Sequence, residues 1–448
     1  MKEQEHIITS RIRRPGSSVK EFGFTSEMVS SLDGGELKDF RLRAWEAFSR
    51  LKIPTSMDEA WRRTDLRALP ADTFRLPSES AYENLPAIPD ELLLPVVADQ
   101  HGGQIQLMPG RSTWRLNPIL EKKGVVFSDL RSAVIKHPNL VMKMAGSIVH
   151  AKEGKFAALA EALSQNGVML YIPRGVQVEE PLQSILWSPG LNLAHFSHIL
   201  VWVDEGASVT YVHESASPDE KGHSLHSGVV EIFVAARARL QFVELQSWGN
   251  HVWNFTHERA RIERDGNLEW IFGAVGSRLT KNFSDLDLVG EGATGRMLGF
   301  YFTDGTQHLD HDTQQNHLAP YTKSDLLFKG ALKGRSRSVW QGMIYVAPGA
   351  QKTDGYQANR NLVLSKEARA DSIPGLEILA DDVRCTHGVT VGKIEQEPLF
   401  YTRSRGIPQD EAEQLIVQGF FETIMQRIPF EGVRQRFQRA IIEKTKGS

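Results

Sequence analysis

Apolar and polar positions alternate in three different rhythms along this chain. From Glu36 to Leu51, Leu37, Phe40, Ala44, Ala47, Phe48 and Leu51 recur at helical spacing, and Ile53-Pro54 stops the run. A second short helical piece is expected from Met57 to Leu66, with further helices over Leu130 to His137 and Phe156 to Leu163. Between Pro70 and Pro118, prolines and mixed polarity predict loop with isolated strands. From Gly167 the texture changes to short β-rich runs such as VMLYIP, SHILVWV, GVVEIFV, LEWIFGAV and SVWQGMIYV. After Gly392 the helical period returns. A short helix over Leu399 to Ser404 ends at Gly406, and Pro408, Asp410 and Glu411 suit the start of the next. There Ala412, Leu415, Ile416, Gly419, Phe420 and Ile424 form one apolar stripe until Pro429 interrupts, and Val433, Phe437, Ala440 and Ile441 form another. The chain thus divides into a helical and irregular region at 1–166, a β region at 167–392 and a helical region at 393–448.

Several β runs open on related small-residue phrases: DEGASVT at Gly206, AARARLQF at Ala236, RDGNLEW at Gly266, GEGATGRM at Gly292, LKGRSRSVW at Gly334 and APGAQKT at Gly349. The first two intervals are both 30 residues and the later ones vary. This imperfect repeat favours stacked β units. Periodicity alone leaves a β-sandwich and a β-helix both open.

Length and charge narrow the class. A chain of 448 residues exceeds one ordinary core unless a repeat lets a domain grow lengthwise. With 52 basic against 55 acidic residues, nothing points to a nucleic-acid surface. No apolar run reaches the roughly 20 residues that span a bilayer. The opening MKEQEHIITSRIRRPGSS lacks a signal core, and a single cysteine suits a reducing compartment, so a cytoplasmic location is expected.

That cysteine, Cys385, stands two residues before His387 in DDVRCTHGVTVG. On a strand, i and i+2 share a face, which brings the two side chains within roughly 6 to 7 Å and in reach of one metal ion or sulfur species. Arg384 and His387 beside it are expected to favour thiolate. Because an iron-sulfur cluster usually takes about four protein ligands, mainly thiolates, a chain with one cysteine can supply only part of such a site. His308, His311 and His317, with Asp310 and Asp312, look like a second cluster, but His308 and His311 would face opposite sides of a strand, and a polar β coil is the simpler reading. His195, His198, His223, His226, His251 and His257 are scattered and take no role. GxxxxGK[ST] and GxSxG are absent, so no bound ATP is expected, and GEGATG reads as a β-turn.

The stretch DDVRCTHGVTVG followed by LFYTRSRGI resembles the SufB/SufD family of iron-sulfur cluster assembly proteins, its SufD branch most closely. Weaker likeness runs through DEAWRRTDL, LYIPRGVQVEEPL and QQNHLAP. The resemblance implies a mainly β fold, a right-handed parallel β-helix core flanked by N-terminal and C-terminal helical segments. It also implies a non-catalytic subunit that pairs with a SufB-like scaffold subunit and docks a SufC-like ABC-type ATPase. Cys385 and His387 would face a nascent Fe-S cluster, transient and shared with the partner chain. Docking would fall on the C-terminal helices, at Leu415, Ile416, Gly419, Phe420 and Ile424. Whether the isolated chain is a homodimer, and whether a flavin binds the assembly, is left open. Two other readings compete: a carbohydrate-active β-helix enzyme using Asp285, Asp287, Asp304, Asp310 and Asp312, and a purely structural dimerisation protein.

Overall fold

The structure, a computed structural model, describes residues 19–32, 35–78, 85–93, 101–164, 166–428 and 431–446. The opening segment read for a signal core, residues 1–18, and Pro429 lie outside the described residues. From 166 to 392 the chain winds through a parallel β-solenoid of about eight turns. Each turn gives one strand to each of two sheets, so a strand pairs with the next but one: His308–His317 lies parallel to Leu279–Leu288 on one side and to Arg337–Val346 on the other. The result is a ten-stranded and a nine-stranded sheet enclosing one interior.

Burial on both faces explains why the strands read as nearly continuous apolar runs. In Val252–Ile262, Val252, Ala260 and Ile262 join the solenoid core, while Trp253 and Phe255 point outward beneath the N-terminal helices. The corner leading from the nine-stranded to the ten-stranded sheet repeats a residue in the left-handed region, Gly175, Gly206, Arg237, Asp265, Gly292, Tyr321 and Lys352, with Gly349 a second in the corner of Lys352. Its N–H donates to the corner of the next turn, Gly206 to Ala236, Arg237 to Arg264 and Tyr321 to Gln351. Glycine meets this conformation freely; the others meet it at a cost of roughly 1 kcal/mol each, offset by the hydrogen-bond ladder. Gly334, like Gly305, lies on the opposite corner, which is why the spacing of the repeat phrases drifts when both corners are read as one series.

The sheets also take in strands from the region expected to be helical and irregular. Gly103–Met108 runs parallel to Leu182–Trp187 and antiparallel to Arg111–Leu116, and Val126–Asp129 runs antiparallel to Asn166–Ile172. Together they seat Leu120, Val125 and Phe127 against the first turn. Helices form at Lys38–Arg50, Leu130–Lys136 and Lys155–Leu163 as the periodicity predicts. Around Met57 to Leu66 only the 3-10 turn Glu59–Trp61 forms, because Asp58 accepts hydrogen bonds from the Thr55 N–H and hydroxyl and so draws the backbone into a turn. The helix Lys155–Leu163 is buried along its whole length between Lys38–Arg50 and the nine-stranded sheet. Lys155 donates to the carbonyls of Phe48 and Leu51, placing a cation at the negative end of Lys38–Arg50.

Helices Gln409–Met425 and Glu431–Lys446 lie across the outer face of the ten-stranded sheet. Phe421, Ile424, Phe437 and Ile441 pack there against Val243, Ile271 and Phe300. Arg436 pairs with Glu214, and Lys444 with Asp304 at 2.6 Å. Among the described residues no helix is long and apolar enough to cross a membrane.

Candidate functional site

The last turn of the solenoid consists of strands Arg369–Ile378 and Arg384–Gly392, each paired on one side only. Cys385, His387, Val389 and Val391 stand opposite the buried positions Gly355, Gln357, Asn359 and Asn361 of the preceding strand, so they occupy the interior-facing row. With no further turn above them among the described residues, these side chains reach the surface. Val391 is 47% exposed, Val389 39%, and Leu376 and Ile378 on the other strand 37% and 38%. The end of the solenoid is therefore an open, partly apolar mouth.

Cys385 and His387 share one face of this strand, as an i, i+2 pair must. Cys385 is half-buried against Ile344, Val346 and Ala350, whereas His387 is exposed. The thiol owes its seat to Gly355: a Cβ there would lie 3.3 Å from both the Cys385 sulfur and His317 Nε2. The expectation of a thiolate is not met. Burial raises the Cys385 pKa, the Asp354 charge adds to the rise, and only the Gly355 backbone N–H opposes it. Among the described residues no three His, Cys, Asp or Glu side chains gather closely enough to hold a metal ion.

The two open edges differ. Arg369 and Leu379 donate inward to Ser336 and Val346, so the amides of the even residues between them point outward, and Pro374 leaves a gap in that row. On the other strand Arg384 donates inward to Thr353, so the amides of Cys385, His387, Val389 and Val391 all face outward without interruption.

The remaining candidates are accounted for elsewhere. His308 faces outward and lies 3.1 Å from the Thr64 hydroxyl, while His311 and His317 face the interior, six residues apart on the same side of the strand. His317 holds Thr322 at 2.8 Å and Ser324 at 2.9 Å. The acidic residues considered for glycan chemistry are held in ion pairs: Asp285 and Asp287 by Arg259, Asp304 by Lys444, Asp310 and Asp312 by the fully buried Lys281. The docking stripe divides. Ile424 is buried against the ten-stranded sheet, while Leu415 is 50% exposed, as are Phe400 at 75% and Tyr401 at 59% elsewhere in the C-terminal helical region.

Comparison with known proteins decides the family. Residues 187–420 match the family described as SUF system FeS cluster assembly, SufBD core domain, and residues 19–184 match the SufBD protein N-terminal region. The chain belongs to the SufBD family. Similar relatives include iron-sulfur cluster assembly SufBD family proteins of Staphylococcus epidermidis and of Staphylococcus aureus strain USA300, each 31% identical over 431 residues, covering 92% of this chain and 91% of the relative.

Within this SufBD fold, periodicity missed a polar tract in the interior. Gln246 donates to Thr280 at 2.7 Å, His226 lies 2.6 Å from the Asn254 side chain, and Glu258 accepts from Asn282 and Ser284. The signal was present as polar residues at alternate positions inside apolar strands, Asn254, Thr256 and Glu258 being the clearest.

Proposed function

We propose that this SufBD-family chain is a SufD-like, non-catalytic subunit of an iron-sulfur cluster assembly scaffold. Its open solenoid end receives a SufB-like chain, and Cys385 and His387 face the nascent cluster across that junction. The observation that carries the reading is the coincidence of both candidate ligands with the uncapped, unpaired end of the solenoid. Two side chains supply about half of a usual cluster ligand set, so the remainder must come from the partner. Neutral imidazole at His387 is a competent iron ligand, and the exposed edge Arg384–Gly392 can add a strand from another chain by main-chain hydrogen bonds.

A SufC-like ABC-type ATPase docks on the C-terminal helical region through Phe400, Tyr401 and Leu415, the large apolar side chains there that the sheet leaves exposed. The alternative of a glycan-cleaving enzyme is disfavoured because each of its acids is already neutralised by a lysine or arginine.

The test is to purify the complex with His387→Ala and with Cys385→Ser, confirm equal subunit content, and quantify iron and acid-labile sulfide after reconstitution. His387→Ala should lower both, and Cys385→Ser should lower them less. Full cluster content in His387→Ala would overturn the shared-site reading.

A further inference from the structure

Glu244 and Glu258 meet inside the solenoid. Glu244 points inward from Arg239–Ser247 of the ten-stranded sheet, Glu258 from Val252–Ile262 of the nine-stranded sheet, and both are buried. Facing sheets stand roughly 10 Å apart, so two inward glutamates bring their carboxyl groups together, and each acts on the other's hold on its proton. The surroundings say where that proton resides. Glu258 accepts from the Asn282 amide at 3.1 Å and from the Ser284 hydroxyl at 2.9 Å, so it has the acceptors of a carboxylate. Glu244 takes one hydrogen bond, from Trp270 Nε1 at 3.3 Å, and has an oxygen left to donate.

Among the described residues no cation compensates the pair. Facing it from the neighbouring strands are Tyr211, His213 and His226, and burial holds His213 at about 3 and His226 at about 4, so both imidazoles are neutral. Asn282, Ser284, Trp270 and Phe272 complete the interior around it from the next turn, and none is titratable. A cavity of about 20 Å³ adjoins Glu244, lined by His213, His226, Gln246, Asn254 and Thr256.

We propose that Glu244 and Glu258 form a proton-sharing carboxyl pair that ties the two sheets together across the interior. Glu244 is the acid and Glu258 the carboxylate. Two carboxylates held together cannot both ionise in a buried site without repulsion, so the tie exists only while the proton is bound. Burial raises Glu244 well above its ordinary value of 4.5. The unfolded chain releases this proton above that value and the folded chain does not, so the tie's contribution is complete at acid pH and is lost as pH rises through the folded value.

The experiment compares the full-length chain with Glu244→Gln and Glu258→Gln by denaturant unfolding from about pH 5 to about pH 9. The amide introduced by Glu244→Gln can donate to Glu258 as the acid did, without needing a proton. The unfolding midpoint of that variant should match wild type at low pH, exceed it at high pH, and carry about one fewer proton of uptake on folding. Glu258→Gln turns an amide against the Asn282 amide and should lower the midpoint at every pH. Equal damage from both substitutions across the whole range would overturn the proposal. Infrared spectra give a readout independent of variant folding. In a Glu161→Gln background, which removes another buried acid, a protonated-carboxyl band should persist at neutral pH and its absence would also overturn the assignment.

Discussion

The two ends of the solenoid are built from the same coil but finished in opposite ways. At the first turn, Val126–Asp129 reverses direction against Asn166–Ile172, and Leu120, Val125 and Phe127 fill the interior, with Phe127 only 1% exposed. At the last turn the corresponding interior row ends in Cys385, His387, Val389 and Val391, with no further strand above it among the described residues. An antiparallel strand and a plug fill the interior at the first end, whereas at the last the interior row lies open beside a parallel edge. The difference teaches that packing is concentrated at one end of the solenoid and exposed interior-row side chains at the other.

The contrast can be broken most forcefully at the plugged end. Phe127→Ala removes a buried ring that meets Tyr211 edge-on at 5.9 Å, and should cost about 3 to 5 kcal/mol in urea unfolding of the isolated chain. The equivalent truncation at the open end, Val391→Ala, should cost less than about 1 kcal/mol, because much of the side chain is already in water. Comparable losses at the two ends would erase the distinction.

Next in size is a substitution at the mouth that spares the fold. Val391→Asp should leave the unfolding midpoint of the isolated chain near wild type while strongly reducing co-purification of the partner subunit, since a charge would be buried at the junction. Undiminished partner recovery would place the junction elsewhere.

A smaller effect concerns pH. Glu161, on the buried helix Lys155–Leu163, is pushed up to about 9 by burial, reinforced by the charges of Glu231 and Glu153. The folded chain keeps this proton and the unfolded chain loses it above 4.5, so its contribution is complete below 4.5 and disappears as pH climbs toward 9. Glu161→Gln should flatten stability across that window, measured as the change in unfolding midpoint with pH.

The smallest expected effect is at Cys385. Its raised pKa predicts slow alkylation near neutral pH by comparison with a free thiol, accelerating as pH rises, in a timed iodoacetamide reaction. Fast labelling at neutral pH would restore the thiolate expectation.

Much of this contrast was legible in the residues and part was hidden for identifiable reasons. Apolar period exposed the helices at Lys38–Arg50 and Lys155–Leu163, and the strand run around Cys385 placed it and His387 on one face. The plug was hidden because Gly103–Met108 and Val126–Asp129 are short and become strands only through long-range pairing. The open mouth was hidden for another reason: Val389 and Val391 carry the same apolar pattern as any interior row, and only the absence of a following turn exposes them. The His317 environment depended on register. Its even separation from His311 gives them one face on a strand, which becomes informative only once that strand is established.

The placement of the C-terminal helices has a metrical consequence. Phe437 packs on Phe300, whose strand Thr294–Thr303 lies three pairing steps from Arg384–Gly392 in the ten-stranded sheet. Strands in a sheet are spaced by about 4.8 Å, so this contact and the mouth are separated by a fixed reach of roughly 14 Å that can change only in whole increments. A homologue that gains or loses one turn between these landmarks would keep the chemistry of both while resetting the distance between them, making the solenoid a ruler as well as a wall.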